Sequence, residues 1–116
     1  MPDMPTQHLT WDHVRRAALR AFYAGTLGAQ YGHPVCLYTY GDGCHCPIGA
    51  GLNNEVLAYM RQNKSYNHYR LSKLREEGLV TYSDRKIETL QWLHDEWLLN
   101  PTEARKITFW KFLRDN

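Results

Sequence analysis

Several features that would assign a protein to a class at once are missing from this chain. Its 116 residues contain no run near the roughly 18–20 consecutive apolar residues of a membrane span, so no membrane role is expected. The opening Met-Pro-Asp-Met-Pro-Thr-Gln-His has no apolar segment behind a basic start, and no signal peptide is read there. Cysteine is limited to three residues, an odd count that suits a reduced, cytoplasmic chain better than a disulfide framework. Charge of one sign is not in excess either. Fourteen basic residues against twelve acidic ones leave +2, too little by itself to imply nucleic acid. The glycines at 41, 43, 49 and 51 form neither G-x-x-x-x-G-K-[ST] nor a strand–G-x-G-x-x-G–helix order, which removes the standard phosphate loops. Repeats and low-complexity segments are absent.

Core-forming material is plentiful. Apolar residues make up 43% and aromatic residues 13%, with four Trp and eight Tyr, enough to bury one domain without disulfides. Residues 1–9 read as a loose leader and residues 10–116 as a single globular domain. The expected class is α+β: a mostly helical domain, about five helices around one small β-hairpin.

Thr10 is placed to cap a helix over residues 11–24 that Gly25 stops. Trp11, Val14, Ala18, Ala21 and Phe22 share its inner stripe at 100° per residue. Residues 26–32 read as a connection. Residues 35–40, Val-Cys-Leu-Tyr-Thr-Tyr, have strand composition, and Gly-Asp-Gly supplies a turn. A turn there sets Cys36 across from Cys46, and Pro47 redirects the chain into a short helical segment. Asn53 or Asn54 starts a helix to about Gln62, and Ser65 or Asn67 another to Glu77, closed by Gly78. Ser83 then caps residues 84–99, and Thr102 caps the last helix with Ala104, Ile107, Trp110 and Leu113 inward.

His33, Cys36, Cys44, His45 and Cys46 put five soft or borderline donors within fourteen residues. His33, Cys36, Cys44 and Cys46 are the candidate ligands for zinc, although C-x-C is tighter than the usual C-x₂₋₄-C pair. Packed thiols at Cys36 and Cys46 across the hairpin, with His45 exposed, are the plainer alternative, and with it no cofactor is expected. A nucleophilic cysteine would need a base among His33, His45 and His94, and no spacing selects one, so catalysis is not expected.

Two surfaces suit a partner. Tyr66, Tyr69, Arg70 and Lys73 share a face of the helix expected over residues 65–77, an aromatic and basic combination fitted to protein or nucleic acid. Trp92 and Leu99 lie opposite the stripe of Ile87, Leu90, Leu93, Trp97 and Leu98, so they are either covered by the last helix or open. His94 falls inside that stripe, where a hydrogen-bonded core histidine is the usual outcome. The Leu-Arg-Glu-Glu-Gly-Leu-Val run over residues 74–80 resembles the entry to the wing of winged-helix regulators, which keeps duplex DNA as an alternative partner.

Cys36-x-Tyr38, Gly43, Cys46-x-Ile48-Gly49 and the later Leu90-Gln91-x-x-His94-Asp95 together resemble a group of small uncharacterised phage and prophage proteins. Those proteins carry C-x-Y…G-x-x-C-A-[IV]-G and a helix with L-Q-x-x-H-D. The likeness covers roughly residues 10–98, and this chain departs from it at Pro47, Cys44 and His45. The resemblance implies a phage accessory protein that binds a host or phage protein in the host cytoplasm, for example an inhibitor of host defence.

Overall fold

A computed structural model describes residues 4–33, 37–40 and 42–116. Local signals account for most of its helices. In α1 (Trp11–Ala24) the Thr10 hydroxyl accepts the His13 N–H, and Gly25, at φ 73°, turns its N–H back to the Ala21 and Phe22 carbonyls. After α2 (Gly28–Tyr31) comes α3 (Pro47–Gly51), with Pro47 in its first turn and the Cys46 sulfur accepting the Gly49 N–H. The Asn53 side chain caps α4 (Asn54–Gln62), a 3₁₀ turn spans Lys64–His68, and α5 is Leu71–Glu76. Asp84 rather than Ser83 caps α6 (Arg85–Leu99), and Thr102 caps α7 (Glu103–Asp115).

Mostly helical with a small sheet is therefore right, but two particulars differ from expectation. The α-helices among the described residues number seven, because the 26–32 connection contains α2 and the short segment after Pro47 is a helix of its own, α3; the 65–77 helix is shortened to α5 behind a 3₁₀ turn. The sheet is also a different one. It pairs β1 (Gln7–His8) with β2 (Val80–Thr81) in parallel, with Gln7 beside Val80. The segment expected as a leader thus carries a strand, and the Leu9 side chain that follows is fully buried in the core.

Among the described residues of the expected hairpin the ladder is a single bridge and one further hydrogen bond. Thr39 bridges His45 in antiparallel fashion, and the Tyr40 N–H donates to the Cys44 carbonyl at 3.0 Å. The Asn67 amide captures Thr39 from the other side, accepting its N–H at 3.0 Å and donating to its carbonyl at 2.8 Å. One side chain thereby fills the place of a partner strand. His45 turns to the segment after α1 instead: its N–H donates to the Thr26 carbonyl, and its carbonyl accepts the Gly28 N–H. Cys36 and Gly41, and with them the expected Cys36–Cys46 pairing, lie outside the described residues.

The core lies between α1, α3 and α6, with α7 closing one side. Gly49 permits the tightest approach, since a Cβ there would overlap the Tyr38 carbonyl oxygen and lie 2.6 Å from its carbon. In α7 the inner face is rotated from the expected one. Phe109 and Leu113 are buried, while Ala104 and Ile107 face solvent. The Phe109 ring inserts among Phe22, His94 and Trp97, with ring centroids 5.4–6.3 Å away. Burying that aromatic area outweighs burying Ile107.

Candidate interaction groove and a polar cluster

The α6 stripe lies inward as expected, with Ile87, Leu90, Trp97 and Leu98 buried, and Gln91 and His94 join them. The Ala29 N–H donates to His94 Nε2 at 3.2 Å, so the ring accepts through that nitrogen and carries its proton on Nδ1. Gln91 Oε1 accepts the Ile48 N–H. These polar groups act as docking points for α2 and α3.

The outer side of α6 is open. Trp92 is 57% exposed and Leu99 74%, and α7 does not cover them. Both border a groove of about 650 Å³ whose opposite wall carries Tyr69, Arg70 and Leu71. The structure therefore brings Trp92 and Leu99 together with Tyr69 and Arg70, two surfaces that the sequence presented separately. Three acidic residues of α6, Glu88, Asp95 and Glu96, also line it. The sequence singles out Asp95 only within the 90–95 motif, and Glu88 and Glu96 not at all. Glu88, Trp92, Asp95 and Leu99 are spaced 4-3-4, one helical face, and that spacing could have grouped them.

Tyr66 and Lys73 do not belong to this groove. The expected single face is lost because Tyr69 and Arg70 are extended (ψ 145° and 157°) between the 3₁₀ turn and α5. Tyr66 packs between Tyr59 and Tyr69 at ring distances of 5.7 and 5.2 Å. Burial is the main cause pushing its hydroxyl pKa upward. Lys73 Nζ sits 3.2 Å from Glu77 and 3.8 Å from Glu76, and the Glu77 carboxylate raises its pKa. Arg70 is exposed and makes no ion pair among the described residues.

A second arrangement lies at the turn. His33 Nε2 is 2.9 Å from Asp42 Oδ2, while Asp42 Oδ1 accepts the Cys44 N–H at 3.0 Å. The backbone N–H of Cys44 is the first cause holding the Asp42 carboxyl below its usual range. The Cys44 side chain is buried, and burial, then Asp42 beside it, pushes its thiol pKa up. One donor atom from each of His33, Asp42 and Cys44 lies within 4.8 Å of the others. Of the expected ligands, Cys46 is elsewhere engaged: its sulfur accepts the Gly49 N–H at 3.3 Å as the cap of α3. Cys36 lies outside the described residues. Asp42 was missed, although an Asp two positions before a turn residue is a common acceptor for that residue's N–H.

No helix among the described residues is long and apolar enough to cross a membrane. No family model matches the chain, and neither do curated proteins or solved structures.

Proposed function

We propose that this is a phage accessory protein that acts by binding another protein in the host cytoplasm, as an inhibitor of a host defence protein, and not by catalysis. The observation that carries the reading is the groove itself. An exposed Trp and a Tyr converge there with an Arg that has no ion pair among the described residues, the three residue types in which protein–protein hot spots are enriched, and an exposed Leu adds apolar area beside them. Its α6 wall is acidic, through Glu88, Asp95 and Glu96, so the fitting occupant is a segment with a bulky apolar anchor beside Lys or Arg. The phage resemblance of the 46–49 and 90–95 motifs supplies the biological setting.

Duplex DNA has less behind it. A recognition helix needs length, and α5 has six residues with Lys73 held by Glu77. The test is affinity capture from host lysate with mass spectrometry, followed by titration of the purified partner against the wild type and a Trp92→Ala/Leu99→Ala variant. The expected loss is at least about thirtyfold, the scale of a hot spot. Equal binding by both proteins, or no stable protein partner, overturns the proposal. A salt-dependent shift of duplex DNA that Arg70→Ala weakens would establish the DNA reading instead.

A further inference from the structure

From the convergence of one imidazole, one carboxylate and one thiol at the 42–44 turn, we infer that His33, Asp42 and Cys44 form a zinc site. The inference is independent of the groove. It also differs from the set expected from sequence, because Asp42 enters it and Cys46 leaves, while Cys36 lies outside the described residues.

The donor chemistry suits zinc, which takes sulfur at about 2.3 Å and nitrogen or oxygen at about 2.0–2.2 Å. Ligand atoms on such a tetrahedron stand under about 4 Å apart, and the three found here already lie within 4.8 Å of one another. Small side-chain rotations close the difference.

The donors are also held in place. The His33 ring stacks on Tyr40 at 3.9 Å and 10°, with Tyr31 stacked at 6.2 Å and 16°. This keeps Nε2 directed at Asp42. The bond from the Cys44 N–H occupies Asp42 Oδ1, which leaves Oδ2 toward His33 as a single metal-facing oxygen. Such bonds to the far side of a ligand carboxylate are the usual supports of a metal site. Without an ion the same cluster holds together through the His33–Asp42 hydrogen bond, which a metal replaces by direct ligation, and through the bond from the Cys44 N–H to Asp42 Oδ1, which stays.

Access is asymmetric. Cys44 forms the buried floor, while the Asp42 side chain is 44% exposed. Among the described residues the site has three protein ligands and one side toward water, so a water molecule fits the fourth position. On binding, the Cys44 thiol gives its proton to solvent and the resulting thiolate bonds to Zn²⁺.

The experiment uses full-length, tag-free protein titrated with Co²⁺, whose spectrum reports ligand type. The expected result is one ion per chain, intense visible bands of tetrahedral cobalt, a thiolate-to-cobalt charge-transfer band in the near ultraviolet, and displacement of all of these by Zn²⁺. Cys44→Ser removes the charge-transfer band, and His33→Gln or Asp42→Asn each weakens Co²⁺ binding at least about tenfold. The wild-type titration stands on its own should Cys44→Ser fold poorly. Absence of the charge-transfer band in the wild type overturns the inference. So does a band that survives Cys44→Ser, or an affinity unchanged in both other variants.

Discussion

Gln91 accepts the Ile48 backbone N–H through Oε1 at 3.3 Å, and so joins two segments 43 positions apart in the chain. Both residues are buried, so the N–H has no water to fall back on. Gln91→Leu keeps the volume and deletes the acceptor, leaving that N–H orphaned. The expected cost is about 1–3 kcal/mol, read as a lower urea midpoint at unchanged slope.

Gly49 and Gly51 lie in the same short helix and should answer differently to alanine. A Cβ at Gly49 overlaps the Tyr38 carbonyl, so the backbone itself must move. At Gly51 the nearest atom is 3.7 Å away, an ordinary contact. Gly49→Ala is expected to cost about 3 kcal/mol or more, and Gly51→Ala to be neutral or to stabilise by under about 1 kcal/mol. Thermal melts of the pair decide it. Equal melting temperatures would contradict the packing described.

Tyr82 gives the fold an alkaline limit. Burial, aided by its 2.7 Å hydrogen bond to Glu88, pushes its pKa up to about 12 from 10.0. The neutral phenol is favoured in the folded state, whereas the unfolded chain sheds the proton near 10.0. Its contribution is therefore fully present below pH 10 and is lost as pH climbs toward 12, to a total of about 2–3 kcal/mol. Unfolding curves measured across that interval should fall more steeply for the wild type than for Tyr82→Phe.

Leu9 tests whether the first strand belongs to the fold. Its side chain is 1% exposed, and its N–H donates to the Thr81 carbonyl at 2.8 Å. Leu9→Ala should cost about 2–5 kcal/mol, as for other buried leucines. A change within about 0.5 kcal/mol in chemical denaturation, the range of surface sites, would show the strand to be an appendage.

Trp92→Ala and Leu99→Ala should leave the melting temperature nearly unchanged, each within about 0.5 kcal/mol, since both side chains face water. Marked destabilisation by either would mean that the residue serves the fold and not a partner.

Helix limits were legible wherever one residue decides them locally. Thr10, Gly25, Asn53, Gly78 and Thr102 all occupy the ends assigned to them. The inner stripe of α6 was legible for the same reason, as spacing on one helix does not depend on what lies across from it. Tertiary competition was invisible. Asn67 looked like a helix start, but its amide is spent on Thr39, and the chain beyond it extends through Tyr69 and Arg70 before α5 begins. Nothing local to Val80-Thr81 named Gln7-His8 as its neighbour. The groove was legible in its parts, Trp92 and Leu99 on one element and Tyr69 and Arg70 on another. Their meeting depends on how α5 docks beside α6, which no periodicity encodes.

The parallel pairing of Gln7 with Val80 has a consequence for the order in which the chain can fold. On the ribosome, α1 can form as soon as it emerges, but β1 has no neighbour until Thr81 is made, and Leu9 stays in water until then. Closing a loop of that length costs a few kcal/mol before any contact offsets it. The pairing of residues this distant belongs to the late, slow part of folding. Until it closes, a nascent chain carries an unpaired strand edge and an uncovered leucine, a natural point of capture for chaperones.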